Sequence, residues 1–162
     1  MRLLFIAIIL FTTNIFAAEM SSEKMPTHDW SFQGVTGTFD RAAIQRGYKV
    51  YREVCAGCHS MSLLYYRDLI DIGFTNDEIK SIASEYTVLD GPNDEGEMFE
   101  RPAKPSDHFV SPYMNEQEAR YSNNGSYPPD LSVITKAKLY GPDYIYNLLV
   151  GYTDPPKDFE LG

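Results

Sequence analysis

Cys55-Ala56-Gly57-Cys58-His59 places both cysteines of the chain and one of its three histidines in a single five-residue run. The C-x-x-C-H spacing is the attachment signature of a c-type haem. Two thiols three positions apart, at the end of a helix, each add to one vinyl group of the porphyrin. The neighbouring imidazole then lies under the iron as an axial ligand. Three other chemistries use the same residue types. A thioredoxin-like pair needs a strand directly before the first cysteine, inside a βαβ unit, whereas a helix is predicted there. A zinc centre needs two more ligands, for which only His28 and His108 remain as unassigned histidines. A disulfide between Cys55 and Cys58 is geometrically strained. The motif is therefore read as a site for one covalent haem c, with His59 on the iron. For the sixth ligand, Met61 follows His59 too closely to reach the opposite haem face. Met98 and Met114 lie at usable separations, yet both are read as core anchors of a long loop.

The elements that must hold this motif follow from periodicity. A helix is predicted from Thr38 into Cys55, with Asp40 as cap and Ile44, Gly47, Tyr48, Tyr51 and Val54 on one buried face. Gly47 costs a helix about 1 kcal/mol relative to Ala, which implies close approach of another backbone or of a flat ligand. A second helix is expected from about Thr75 to Tyr86, with Asn76 or Thr75 as cap and Ile79, Ile82 and Ala83 on one face. Residues 88–115 read as an ordered loop anchored by Met98, Phe99, Phe109 and Tyr113, and Glu116 to Arg120 as one helical turn. A last helix begins at Pro142, turns Ile145, Leu148, Leu149 and Tyr152 to one side, and ends at Gly151 and Pro155-Pro156. No strand pair and no internal repeat is predicted.

The N-terminus opens with Met1-Arg2, an apolar run from Leu3 to Phe11 and small residues at Ala17-Ala18. This is the pattern of a secretory signal peptide over 1–18, and the run is too short for the ~20 apolar residues that span a bilayer. The expected organisation is a signal peptide followed by one domain over 19–162. The formal charge of the whole chain is -9; Arg2 is the only charge in 1–18, so 13 basic against 23 acidic residues leave -10 beyond it. Nucleic acid is excluded as a partner, because phosphate binding needs clustered Lys and Arg. An acidic surface favours rapid, salt-sensitive encounters with a basic protein, and it also serves plain solubility.

Beyond the haem motif, the chain resembles the cytochrome c1 family from His28 to Asp158. The matching stretches include Tyr65-Tyr66-Arg67-Asp68-Leu69, Asp90-Gly91-Pro92, Gly96-Glu97-Met98-Phe99-Glu100-Arg101-Pro102 and Ser111-Pro112-Tyr113. They continue through Asn123-Asn124-Gly125, Pro128-Pro129-Asp130-Leu131-Ser132 and Asp143-Tyr144 to Leu148-Leu149-Val150-Gly151-Tyr152. The resemblance implies that Asn123, Pro128 and Pro129 line the haem, that Tyr144 and Leu148 pack near it, and that Lys138 faces a propionate. Read on its own, Pro128-Pro129 is a stiff segment without an N–H donor, or an ordinary turn. Lys138 stands where the family tends to place arginine, so a bidentate clamp becomes a point charge. Family members continue with a methionine-bearing loop, a closing helix and a membrane anchor. The expectation is thus a mainly α, cytochrome c-like haem domain with long irregular loop insertions, incomplete at its C-terminus and lacking the closing C-terminal helix. In that reading His59 is its only native axial ligand.

The same resemblance implies an electron-transfer subunit with no substrate chemistry of its own. It would work beside cytochrome b, between a Rieske iron-sulfur protein and soluble cytochrome c, with Asp90, Asp94, Glu95, Glu97 and Glu100 steering the latter. Its place would be the periplasmic face of a bacterial inner membrane, or the mitochondrial intermembrane-space equivalent, held at the membrane through the complex. Two alternative readings are a free periplasmic monohaem c-type cytochrome, which the haem motif alone fits equally, and a haem-free exported binding module.

Overall fold

A computed structural model describes residues 25–157 and 159; the predicted signal peptide over 1–18 lies outside them. The architecture is mainly helical. Asp40, in extended backbone, accepts the Ala43 N–H at 3.1 Å and opens helix α1 (Arg41–Glu53). Ile44, Tyr48 and Tyr51 share its half-buried face, while Val54 has left the helix and is exposed. A 3-10 turn over Cys55–Gly57 follows directly, and a longer one spans Tyr66–Ile72.

Helix α2 (Asn76–Ser84) starts with a reciprocal cap. The Thr75 hydroxyl accepts the Glu78 N–H at 3.3 Å, and the Glu78 carboxylate accepts the Thr75 N–H at 2.8 Å. Ile79, Ile82 and Ala83 are buried, as their spacing predicts. Thr75→Ala is expected to cost about 1 kcal/mol in chemical denaturation, with no change in the slope of the transition.

The core is built where α1, the Tyr66–Ile72 turn and α2 meet. Tyr66, Leu69, Ile79, Ile82, Ala83, Ala103 and Phe109 form it, with Tyr48, Tyr51, Met61 and Phe74 packed against them. Gly47 does not meet another backbone: a Cβ there would touch nothing within 4 Å, and the residue borders an apolar cavity of about 450 Å³ instead.

Residues 88–115 are ordered, but together with Thr87 they hold a strand pair that the sequence does not announce. Strand β1 (Thr87–Asp90) runs antiparallel to β2 (Phe99–Pro102), in the register Thr87↔Pro102 to Asp90↔Phe99. Each strand has only four residues, too few for alternation to stand out. Asn93 organises the connection, its Oδ1 accepting the Glu95 and Glu97 N–H groups at 3.0 and 2.8 Å. Gly91 has φ +123°, and a Cβ there would come within 2.9 Å of the Glu97 carbonyl oxygen, so glycine is required. Arg101 fastens the hairpin down by bonding to Asp90 and, at 2.6 and 3.1 Å, to both oxygens of Asp107.

The expected methionine anchors are corrected: Met98 is 54% and Met114 90% exposed. Among the five expected anchors, Met98, Phe99, Phe109, Tyr113 and Met114, Phe109 alone is buried in the core. Apolar type identifies candidates there, but the Asn93 turn and the hairpin decide which side chains turn inward.

Helix α3 (Glu116–Ser122) is capped by Asn115, whose Oδ1 accepts the Glu118 N–H at 2.9 Å. After a short α4 (Ile134–Ala137) comes α5 (Pro142–Val150), starting at the proline as predicted. Its expected apolar stripe is not buried: Leu148 is 44% exposed and Leu149 66%. What α5 buries is Asp143, 8% exposed, against His28 and Trp30 of the N-terminal segment.

Candidate haem site

The Cys55–Gly57 turn folds the motif tightly, with the Cys58 and His59 N–H groups donating to the Cys55 carbonyl at 3.0 and 2.8 Å. Both thiols are free, Cys55 half-buried and Cys58 exposed. His59 Nδ1 lies 2.9 Å from the Pro129 carbonyl oxygen. A carbonyl only accepts, so Nδ1 must carry the proton, which leaves the lone pair on Nε2. A ring held by one nitrogen and offering the other is how a metal-bound histidine is oriented. From behind, Tyr51 donates its phenol proton to the His59 carbonyl at 3.2 Å. Burial pushes that phenol up to about 12, so it stays a donor over the whole neutral range.

The Pro129 carbonyl is held in place by its neighbour, Asp130. Oδ2 of Asp130 accepts from the Ser60 hydroxyl at 2.8 Å, the Ser62 N–H at 2.8 Å and the Ser62 hydroxyl at 2.7 Å. Its Oδ1 accepts the Ser132 N–H at 2.7 Å, while the Leu131 N–H reaches the Ser60 carbonyl at 2.8 Å. Burial pushes the Asp130 carboxyl up, but the donors on Ser132 and Ser62 outweigh it and hold the group far below the usual carboxylate range. Asp130 is thus the residue that sequence reasoning missed. It stands in the Pro-Pro-Asp-Leu-Ser stretch, and an Asx turn onto Ser132 is legible there. Its partners 68 and 70 positions away are not.

Asn123 joins the same assembly through a relay. Its amide donates to the Tyr113 hydroxyl at 2.9 Å and to the Ala119 carbonyl at 2.7 Å, and the Tyr113 hydroxyl donates to the Gly57 carbonyl at 3.5 Å. Pro128 borders a small cavity of about 170 Å³ together with Cys58, Ser60 and Tyr113. Cys55, Cys58, His59, Asn123, Pro128 and Pro129 are therefore brought together.

Lys138, at the C-cap of α4, and Tyr144 and Leu148, on α5, form a second group, with the Lys138 ammonium 5.5 Å from the centroid of the Tyr144 ring. Among the described residues no hydrogen bond links the two groups directly. The donor set fits a haem c: two free thiols, one imidazole with its distal nitrogen free, and half-exposed aliphatic surface on α5. No three His, Cys, Asp or Glu residues cluster as a separate metal site among the described residues.

A model of the Cytochrome C1 family matches residues 30–162. The chain is 56% identical over 138 residues to a protein of Arabidopsis thaliana named "Cytochrome c1 1, heme protein, mitochondrial", covering 85% of this chain and 45% of that one. It is 49% identical over 131 residues to the "Cytochrome b-c1 complex catalytic subunit, mitochondrial" of Candida albicans, covering 81% of this chain and 46% of the relative. A protein of Bradyrhizobium diazoefficiens named "Cytochrome b/c1" is 47% identical over 148 residues, covering 88% of this chain and 22% of its own length. The chain spans less than half the length of these curated relatives.

Proposed function

The chain belongs to the cytochrome c1 family, and from that we propose that it binds one covalent haem c and carries single electrons from a Rieske iron-sulfur protein to soluble cytochrome c. We place it beside cytochrome b in a quinol:cytochrome c reductase. The observation that carries this reading is His59, whose Nδ1 is committed to the Pro129 carbonyl in a motif with two free thiols. When bound, the haem supplies the one-electron couple.

The protein's part is to hold and to tune. Cys55 and Cys58 would hold the porphyrin through thioethers, and the free Nε2 of His59 would ligate its iron. Asn123, Pro128 and Pro129 line the ring with little competing donor capacity. Tyr144 and Leu148 cover it, and Lys138 offers one ammonium to a propionate. The working location is the outer face of a bacterial inner membrane or the intermembrane-space equivalent. Among the described residues no helix is long and apolar enough to cross a membrane. Association with the membrane through the complex is part of the proposal.

Docking of cytochrome c is assigned to the hairpin connection. Asp90 is spent on Arg101, whereas Asp94, Glu95 and Glu97 remain exposed around the Asn93 turn. When the haem-loaded chain has first been reduced chemically, its one-electron reduction of a basic soluble ferricytochrome c is expected to slow as ionic strength rises. Neutralising Asp94, Glu95 and Glu97 together should lower the low-salt rate about tenfold and flatten that dependence. Stopped-flow absorbance measures both, and a rate indifferent to salt and to the triple substitution refutes this docking role.

A further inference from the structure

The segment 26–30 is tied to α5 at one face. Asp143 Oδ1 accepts the Trp30 indole N–H at 2.8 Å and the His28 backbone N–H at 3.1 Å. One turn on, the Asn147 amide donates to the Pro26 carbonyl at 2.7 Å and to the Asp143 carbonyl at 2.8 Å. The Asn147 Oδ1 lies 3.4 Å from His28 Nε2. The Tyr146 ring packs edge-on against His28 at 4.1 Å and against Trp30 at 5.8 Å. Asp143, Tyr146 and Asn147 are an i, i+3, i+4 set, so one helix face carries the whole clasp. Among the described residues Asp143 is the only buried charged or polar one, and no arginine or lysine pairs with it there. Its charge is held by N–H donors of the crossing segment.

Tyr144 and Leu148 advance about 100° around the same helix from Asp143 and Asn147. A shift or rotation of α5 moves Tyr144 and Leu148 directly, and alters the contact that Lys138 makes over the Tyr144 ring. We propose that Asp143 is a positioning residue: through Trp30 and His28 it sets the orientation of α5, and thereby that of Tyr144, Leu148 and Lys138 toward the haem. This rests on the proposed function, in which α5 faces the haem.

The test uses the full chain matured with haem, in Asp143→Ala, Asp143→Asn and Trp30→Phe forms, with Tyr144→Phe and Leu148→Ala as references. The readouts are Soret circular dichroism, midpoint potential and hydrogen exchange of residues 142–150. Asn keeps an oxygen acceptor without the charge, so Asp143→Asn should stay near wild type while Asp143→Ala shifts the Soret band and the potential and loses exchange protection. Trp30→Phe, which removes one donor, should fall between and serves if Asp143→Ala does not fold. Equal shifts in Asp143→Asn and Asp143→Ala would mean that charge rather than geometry acts, overturning the proposal. So would unchanged spectra in all Asp143 and Trp30 forms while Leu148→Ala and Tyr144→Phe respond. Silence in those two references as well would remove the reading of α5 on which the proposal stands.

Discussion

With alanine at both Cys55 and Cys58, no haem signal survives denaturing electrophoresis, and the mature chain weighs what its polypeptide alone weighs. These are the only two cysteines in the sequence, so no third thiol can substitute. Non-covalent contacts, His59 included, do not withstand denaturation, whereas thioethers do. Either single substitution leaves one thioether, so Cys55→Ala and Cys58→Ala should each retain some stain. His59→Ala separates the roles within the motif: the thioethers remain and the stain persists, but the reduced spectrum changes because the axial nitrogen is gone. Haem that stays on the double alanine chain after denaturation would end the attachment argument, whatever the spectra show.

Asp130→Ala is expected to destabilise the fold by about 3 kcal/mol, since it removes an ionised acceptor from four donors and strands the two half-buried ones, the Ser60 hydroxyl and the Ser132 N–H. For a chain of this size that is a fall of roughly 10 °C in Tm, measurable by thermal circular dichroism. The same change releases the Pro129 carbonyl that orients His59, so the midpoint potential should move along with stability.

Acid sensitivity tests the electrostatic part separately. The folded state holds the Asp130 carboxyl below its unfolded value of about 3.9, so the stabilisation is fully present above that pH and fades as pH falls through the folded value. Asp107 behaves alike, lowered to about 2 by its paired bonds from Arg101. Wild type should therefore lose stability steeply between about pH 4 and pH 2. Asp130→Asn, already weaker at neutral pH, should lose less over that interval. Parallel acid limbs in the two proteins would contradict the assignment.

Features governed by neighbours a few residues apart are legible in the sequence. The C-x-x-C-H motif, the Asp40 and Thr75 caps, the proline start of α5 and the inner face of α2 all depend on separations of four residues or fewer. The hairpin escapes such reading because its strands are short and its pairing spans a polar loop. The site divides along the same line. Cys55, Cys58 and His59 are readable as chemistry from their types and spacing. Pro129 is a lining residue by resemblance, but nothing local marks it as the acceptor that selects the His59 tautomer.

By itself, the sequence determined which chemistry is available and where the regular elements begin. Tertiary structure alone decided that Asp130 locks the haem motif to the 128–132 segment and that Asp143 joins α5 to residues separated from it by 113 and 115 positions. The physical reason is range. Helical periodicity and capping report a residue's near neighbours, while a buried carboxylate takes its donors from whatever chain the fold brings alongside, and no local pattern encodes that meeting.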